Sequence, residues 1–275
     1  QINSKKKIIF FVSSENWKSM KRNEMTKQRA ELIVLAIEVG ELKLVQERFL
    51  SEDFDKNVEL PFKNCTPLIF SILRARTEIA AFLLRNGADI TKADVDRQTP
   101  LMVACFHGRK RIVELLIDHE VDVNHSNGRE SPLRIAAAND RTDILEILIR
   151  AGALVDATDR SGTTALVEAC AHGNLESARI LVRAGANVNH QGSRATPLLA
   201  ALYSGHLSVV DFLIDSGARR DPRDAASTAQ ATAGIRVSSE ATQVPLLAAV
   251  QKRNVDAILE MIEYRPNPNV AGHFE

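Results

Sequence analysis

With 275 residues, 45% hydrophobic and 25% charged, the chain has the make-up of an average folded soluble protein, which excludes disordered, collagen-like and disulfide-dense classes. Its 35 basic side chains balance 35 acidic ones, so the overall field selects neither nucleic acid nor a polyacidic partner. The longest apolar run, Ile8 to Val12, falls far short of the ~18–20 residues of a membrane-spanning helix.

In chain order, the first 30 residues carry eight basic and two acidic side chains, a net of +6, around Ile8–Val12 and Trp17. The leader, 1–29, is read as a cover for an open apolar end of the units that follow, because terminal units of a stack need a covered or polar outer face. A tether to an anionic membrane or to nucleic acid is the other reading. The chain opens at Gln1 rather than methionine and reads as a piece of something longer.

From 30 to 275 the sequence repeats. Thr66-Pro67-Leu68, Thr99-Pro100-Leu101, Ser131-Pro132-Leu133, Thr164-Ala165-Leu166 and Thr196-Pro197-Leu198 recur at steps of 33, 32, 33 and 32 residues. Counting each Thr or Ser as zero, offset +5 is Ser71, Ala104, Ala136, Ala169 and Ala201, and +16 to +18 is always apolar. Offset +21 is Gly87, Gly152, Gly185 and Gly217, a column broken only by Glu120. Ile33, Ala36 and Gly40 fall in phase upstream, and Pro245-Leu246 and Ala249 downstream. About seven units thus start near 31, 66, 99, 131, 164, 196 and 244, with an irregular Ala/Ser/Thr-rich insertion at 221–243 expected to be an extended loop.

Each unit has a physical logic. The Thr or Ser hydroxyl accepts an orphan N–H at a helix start, and Pro next to it lacks the N–H that has no partner there. Gly108, Gly173 and Gly205 at +9 stop a short first helix, and the small +5 residue lets the neighbouring unit approach. A second helix carries the bulky residues, and the +21 glycine takes the left-handed conformation that ends it. Glu120 at that position should cost on the order of 1 kcal/mol. Polar connectors such as 185–189 then turn the chain back.

These units resemble ankyrin repeats, whose TPLH-x-A, G-H and L-L-x-x-G-A-D-V-N pattern is matched most strongly from Thr66 to Ala218. The resemblance implies an all-α fold, an ankyrin-repeat solenoid of stacked helix-turn-helix units with hairpin-like connectors. It implies a non-enzymatic scaffold or adaptor in the cytoplasm, with the nucleus left open, binding a protein or peptide through a concave groove of first helices and connector tips. The alternative is the regulatory cytosolic domain of a larger channel, kinase or ubiquitin-ligase component. The family's histidine at +3 is replaced by Ile69, Met102, Arg134, Val167 and Leu199, so the resemblance does not carry its inter-unit bridge over to this chain.

No catalytic or phosphate-binding motif is present, and neither a metal site, a cofactor nor a small-molecule substrate is expected. His107 and His172 both sit at +8, two repeats and roughly 20 Å apart, too far to share an ion. Cys65, Cys105 and Cys170 have neither disulfide-framework nor zinc spacing and suit a reducing compartment; Cys105 and Cys170 at +6 read as small buried hydrophobes. Offsets +4, +7 and +8 are expected on the groove, naming Phe70, Leu73, Arg74, Val103, Phe106, His107, Glu168, His172 and Tyr203. Phe106 and Tyr203 are either partner anchors or packed on the next unit. Arg97, Arg129 and Arg194 at −2 and Arg160 at −4 form either an edge for carboxylates and phosphates or solvated tips screened by Asp96, Glu130 and Asp159. The first of these readings points to an acidic, partly apolar ligand.

Overall fold

The computed structural model describes residues 22–49, 55, 57–60, 65–192 and 195–219, with side chains in the first stretch limited to 30–47. The leader up to residue 21, Arg194, the insertion at 221–243 and the unit expected near 244 lie outside the described residues. Among the described residues there are helices and no strands. They are α1 (Arg22–Val39), α2 (Leu42–Phe49), α3 (Pro67–Leu73), α4 (Thr77–Arg85), α5 (Pro100–Phe106), α6 (Lys110–Asp118), α7 (Pro132–Ala138), α8 (Thr142–Arg150), α9 (Ala165–Ala171), α10 (Leu175–Arg183), α11 (Pro197–Ser204) and α12 (Leu207–Asp215). They fall into two compact units, one ending at Val123 and one starting at Asn124.

Within each unit the plan is the same. A short first helix packs on its own second helix and on the first helix of the next repeat, while second helices pack on second helices. In the first unit this joins α1, α3 and α5 on one side and α2, α4 and α6 on the other. In the second it joins α7, α9 and α11, and α8, α10 and α12. α1 begins at Arg22, ahead of the repeat start expected near 31.

The caps follow the sequence. Thr66, Thr99, Ser131, Thr164 and Thr196 have extended backbone, and their hydroxyls accept the N–H three residues on, with Pro at the helix start in all but α9. The first helices end on a left-handed residue at +9. Gly108, Gly173 and Gly205 supply it without steric cost, whereas Ala75 (φ 55°) and Asp140 (φ 51°) are held there as non-glycine residues. The +21 column behaves as expected, with φ from 83° to 91° at its four glycines and 59° at Glu120.

The core is the set of positions that meet a neighbour. Ser71, Ala104, Ala136, Ala169 and Ala201 at +5 are all fully buried, so first helices touch across small side chains. On the second helices Leu83, Leu116, Leu148, Leu181 and Leu213 at +17 are fully buried, each such side chain stabilising the stack by roughly 1.5–3 kcal/mol. The flanking +16 positions Phe82 and Leu115 stay half-exposed.

Polar links between repeats complete the stack. Every helix leaves its last carbonyls without partners, and at the ends of first helices the residue at +10 of the following repeat reaches back to them. Arg76 donates from Nε to the Ile37 carbonyl at 3.2 Å and from Nη2 to that of Glu38 at 2.6 Å. Asn174 donates from Nδ2 to the carbonyls of Ala137 and Ala138 at 2.8 and 2.9 Å. Connectors are tied in the same way, for instance by Asn124, which donates to the Gly152 carbonyl and accepts from the Leu154 N–H.

Candidate protein-interaction surface

The first helices are enclosed on most sides, and this decides which expected residues reach solvent. In α5 every residue from Pro100 to Cys105 is buried, and the chain emerges only at Phe106, which is 53% exposed. Phe70 (1% exposed) and Val103 (6%) at +4 are therefore core residues, which corrects their expected place on the open surface. At these two positions the +4 side chain is enclosed by neighbouring helices, whereas Glu168, also at +4, stays partly exposed where it pairs with Arg134.

In the first unit the projecting residues are Arg74, Phe106 and His107. Arg74 is exposed, with its Nη2 2.7 Å from Glu38 Oε1 and its guanidinium 5.2 Å from the centre of the Phe70 ring. The His107 ring stands edge-on to Phe106 with centroids 5.1 Å apart. At the connector tip of this unit, Arg97 is exposed and held at φ 61°, next to Val95, which is 62% exposed.

In the second unit Glu168 is partly exposed and His172 exposed, with His172 Nδ1 2.9 Å from the Glu168 carbonyl oxygen and 3.8 Å from its Oε2. Tyr203 is half-buried. Arg129 and Arg160 at the connector tips are both exposed. Arg97 thus belongs to the first unit, Arg129 and Arg160 to the second, and Arg194 lies outside the described residues.

One charged group was missed by the reasoning from groove offsets. Arg134, at the position the family gives to histidine, has a side chain only 8% exposed. Its Nη1 lies 2.9 Å from Asp159 Oδ2 and donates to the Arg129 carbonyl at 2.6 Å, while Nη2 donates to Glu168 Oε1 at 2.6 Å. Burial alone would raise the Asp159 carboxyl. Hydrogen bonds from the Thr163 N–H and from Ser161, together with the charge of Arg134, outweigh that and hold it below the usual carboxylate range. The available signal was the charge pattern itself, an arginine at +3 followed one repeat later by Asp159 and Glu168.

Thiolate chemistry at Cys105 and Cys170 is suppressed. All three cysteines are buried, and none forms a disulfide. Burial pushes the Cys170 thiol up to about 12 and the Cys105 thiol higher still, so neither offers a thiolate at neutral pH. Among the described residues no group of three or more His, Cys, Asp and Glu could hold a metal ion, and no helix is long and apolar enough to cross a membrane.

Comparison with known proteins agrees with this architecture. The family model described as "Ankyrin repeats (3 copies)" matches residues 91–159 and 133–224. The chain is 33% identical over 153 residues to ankyrin repeat protein nuc-2 of Neurospora crassa, covering 54% of this chain and 14% of that protein. It is 25% identical over 195 residues to transient receptor potential cation channel subfamily A member 1 of Homo sapiens, covering 66% of this chain and 17% of the channel subunit. Against human ankyrin repeat and SOCS box protein 6 the identity is 37% over 122 residues, 41% of this chain and 29% of that one. It therefore spans less than a third of each of these relatives. Among solved structures, the ankyrin repeat domain of Bcl-3 superposes with a TM-score of 0.62 at 26% identity, over 68% of this chain and 86% of that one.

Proposed function

Since the chain belongs to the ankyrin-repeat family, whose repeats serve protein–protein interaction, we propose that it is a non-enzymatic scaffold or adaptor module whose partner docks on the projecting ends of the first helices. The observation that carries this is Phe106. Its ring is 53% exposed at the end of a helix whose other side chains are all buried, and it is flanked edge-on by His107. A rigid aromatic loses little rotamer freedom on binding and buries a large apolar area, so such a residue makes an efficient anchor. Three reduced cysteines suit a working place inside the cell, in the cytoplasm or nucleus.

The test uses wild-type, Phe106→Ala and Val95→Ala chains as baits after checking that all three melt alike. Val95 is as exposed as Phe106 but lies on a connector tip. A partner captured by wild type and Val95→Ala but lost on Phe106→Ala is the expected result; identical capture by all three overturns the proposal.

The 195-residue match to the human channel subunit supports a second reading, in which the array is the regulatory arm of a larger channel, kinase or ubiquitin-ligase component. The full reading frame decides it, because this reading requires a membrane span or catalytic domain beyond these residues.

A further inference from the structure

The second unit presents two guanidinium groups on adjacent connectors, and the carboxylate that follows the chain beside one of them is turned away. Arg160 lays its side chain over the backbone of Gly128: a β-carbon built on Gly128 would stand 2.8 Å from Nε and 3.1 Å from Cζ. The Arg160 N–H also points to the Gly128 carbonyl at 3.4 Å. Gly128 directly precedes Arg129, so the two arginines rise from contacting tips. Asp159, the residue before Arg160, does not screen it. Its carboxylate faces inward, paired with buried Arg134 at 2.9 Å and accepting the Ser161 hydroxyl at 2.7 Å and the Thr163 N–H at 2.9 Å. Glu168, the next carboxylate along, is also held by Arg134. Asp156 is engaged with the Asn187 N–H of the following connector, which leaves Glu130 as the acidic side chain next to Arg129. Neither Arg129 nor Arg160 makes an ion pair among the described residues.

We infer that the Arg129–Arg160 edge is a second docking site, which takes an extended acidic segment of a protein partner. Magnitudes select this occupant. Nucleic-acid binding rests on about 6–10 neutralised phosphates and anionic membrane binding on clusters of about 4–8 basic residues, whereas this edge offers two guanidiniums. Two forks are enough for two carboxylates, each able to accept a bidentate pair. The Arg160 side chain lies over Gly128, the residue before Arg129, so both forks rise at one tip and a single short acidic segment can reach the two. The site stands on observations separate from Phe106 and does not depend on the docking surface proposed above.

The experiment titrates the full chain with a synthetic peptide of four Glu-Ser-Thr repeats and follows the arginine Nε–Hε resonances. The expected result is a saturable shift of the Arg129 and Arg160 signals, with affinity falling at least tenfold in an Arg129→Gln, Arg160→Gln double variant of unchanged melting temperature. Phe106→Ala should bind the acidic peptide as wild type does, so that failure here and failure of the Phe106 surface are told apart. Unchanged affinity in the double variant, or tighter binding of a DNA duplex than of the acidic peptide, overturns the inference.

Discussion

Arg134 Nη2 meets Glu168 Oε1 at 2.6 Å, tying the first turn of α7 to the middle of α9 in the next repeat. The same guanidinium reaches Asp159 on the intervening connector and the Arg129 carbonyl behind it, so one side chain fixes a helix, a tip and the following helix together. An arginine this deeply buried is stable only because two carboxylates and a carbonyl replace its hydration, and the arrangement fails if one partner is removed. It bridges two repeats by charge from the +3 position, where the resemblance would place a histidine.

Replacing Arg134 is accordingly expected to be costly. Arg134→Ala leaves Asp159 and Glu168 without their shared cation and should destabilise the chain by about 3 kcal/mol. Arg134→Lys keeps the charge but not the fork, and should recover only part of the loss. Urea unfolding of the three proteins measures both effects; an alanine variant within experimental error of wild type would show that the bridge contributes nothing net.

Acid should act through Asp159. Its carboxyl is held below its unfolded value of about 3.9, so its contribution is complete above that pH and disappears as pH falls through the lower folded value. Asp159→Asn should cost about 1–2 kcal/mol at pH 7. The gap between variant and wild type should narrow between pH 5 and pH 2, as read from urea midpoints at several pH values. A gap that widens on acidification contradicts the assignment.

Glu120 sits at φ 59° in a column whose other members are glycines. Glu120→Gly should raise stability by about 1 kcal/mol, since it relieves the left-handed strain at an exposed site. Gly152→Ala provides the converse: φ is 89° and nothing lies within 4 Å of the added β-carbon, so any loss is conformational and should be of similar size. Calorimetry on both variants should give melting shifts of opposite sign.

Gly173 and Gly205 separate strain from crowding. Both have left-handed φ, 74° and 77°. A β-carbon on Gly205 meets nothing within 4 Å, whereas one on Gly173 would lie 2.5 Å from His206 Nδ1 of the next repeat. Gly205→Ala should therefore lose about 1 kcal/mol, and Gly173→Ala clearly more, because the His206 ring must also move. Equal losses in thermal unfolding would mean that the ring yields freely.

Much of this molecule was legible before any coordinates. Helix caps, the +9 helix stops, the left-handed +21 column and the buried +5 column all appear where the repeat placed them, Glu120 included. Phe106 emerged as exposed, but its groove neighbours Phe70 and Val103 did not. Offset alone does not reveal how much of a short helix its neighbours enclose. The +10 donors Arg76 and Asn174 went unnoticed because Arg and Asn share a role there without sharing a residue type.

By itself, the sequence determined the repeat unit, because a cap hydroxyl, a proline's fixed φ and a glycine's free one act within a few residues of where they are written. Only the tertiary structure decided which charges are spent and which remain available. Whether Asp159 screens Arg160 or turns inward to Arg134 depends on side chains brought together by stacking one repeat on the next, and pairing in a buried, low-dielectric contact outweighs adjacency along the chain.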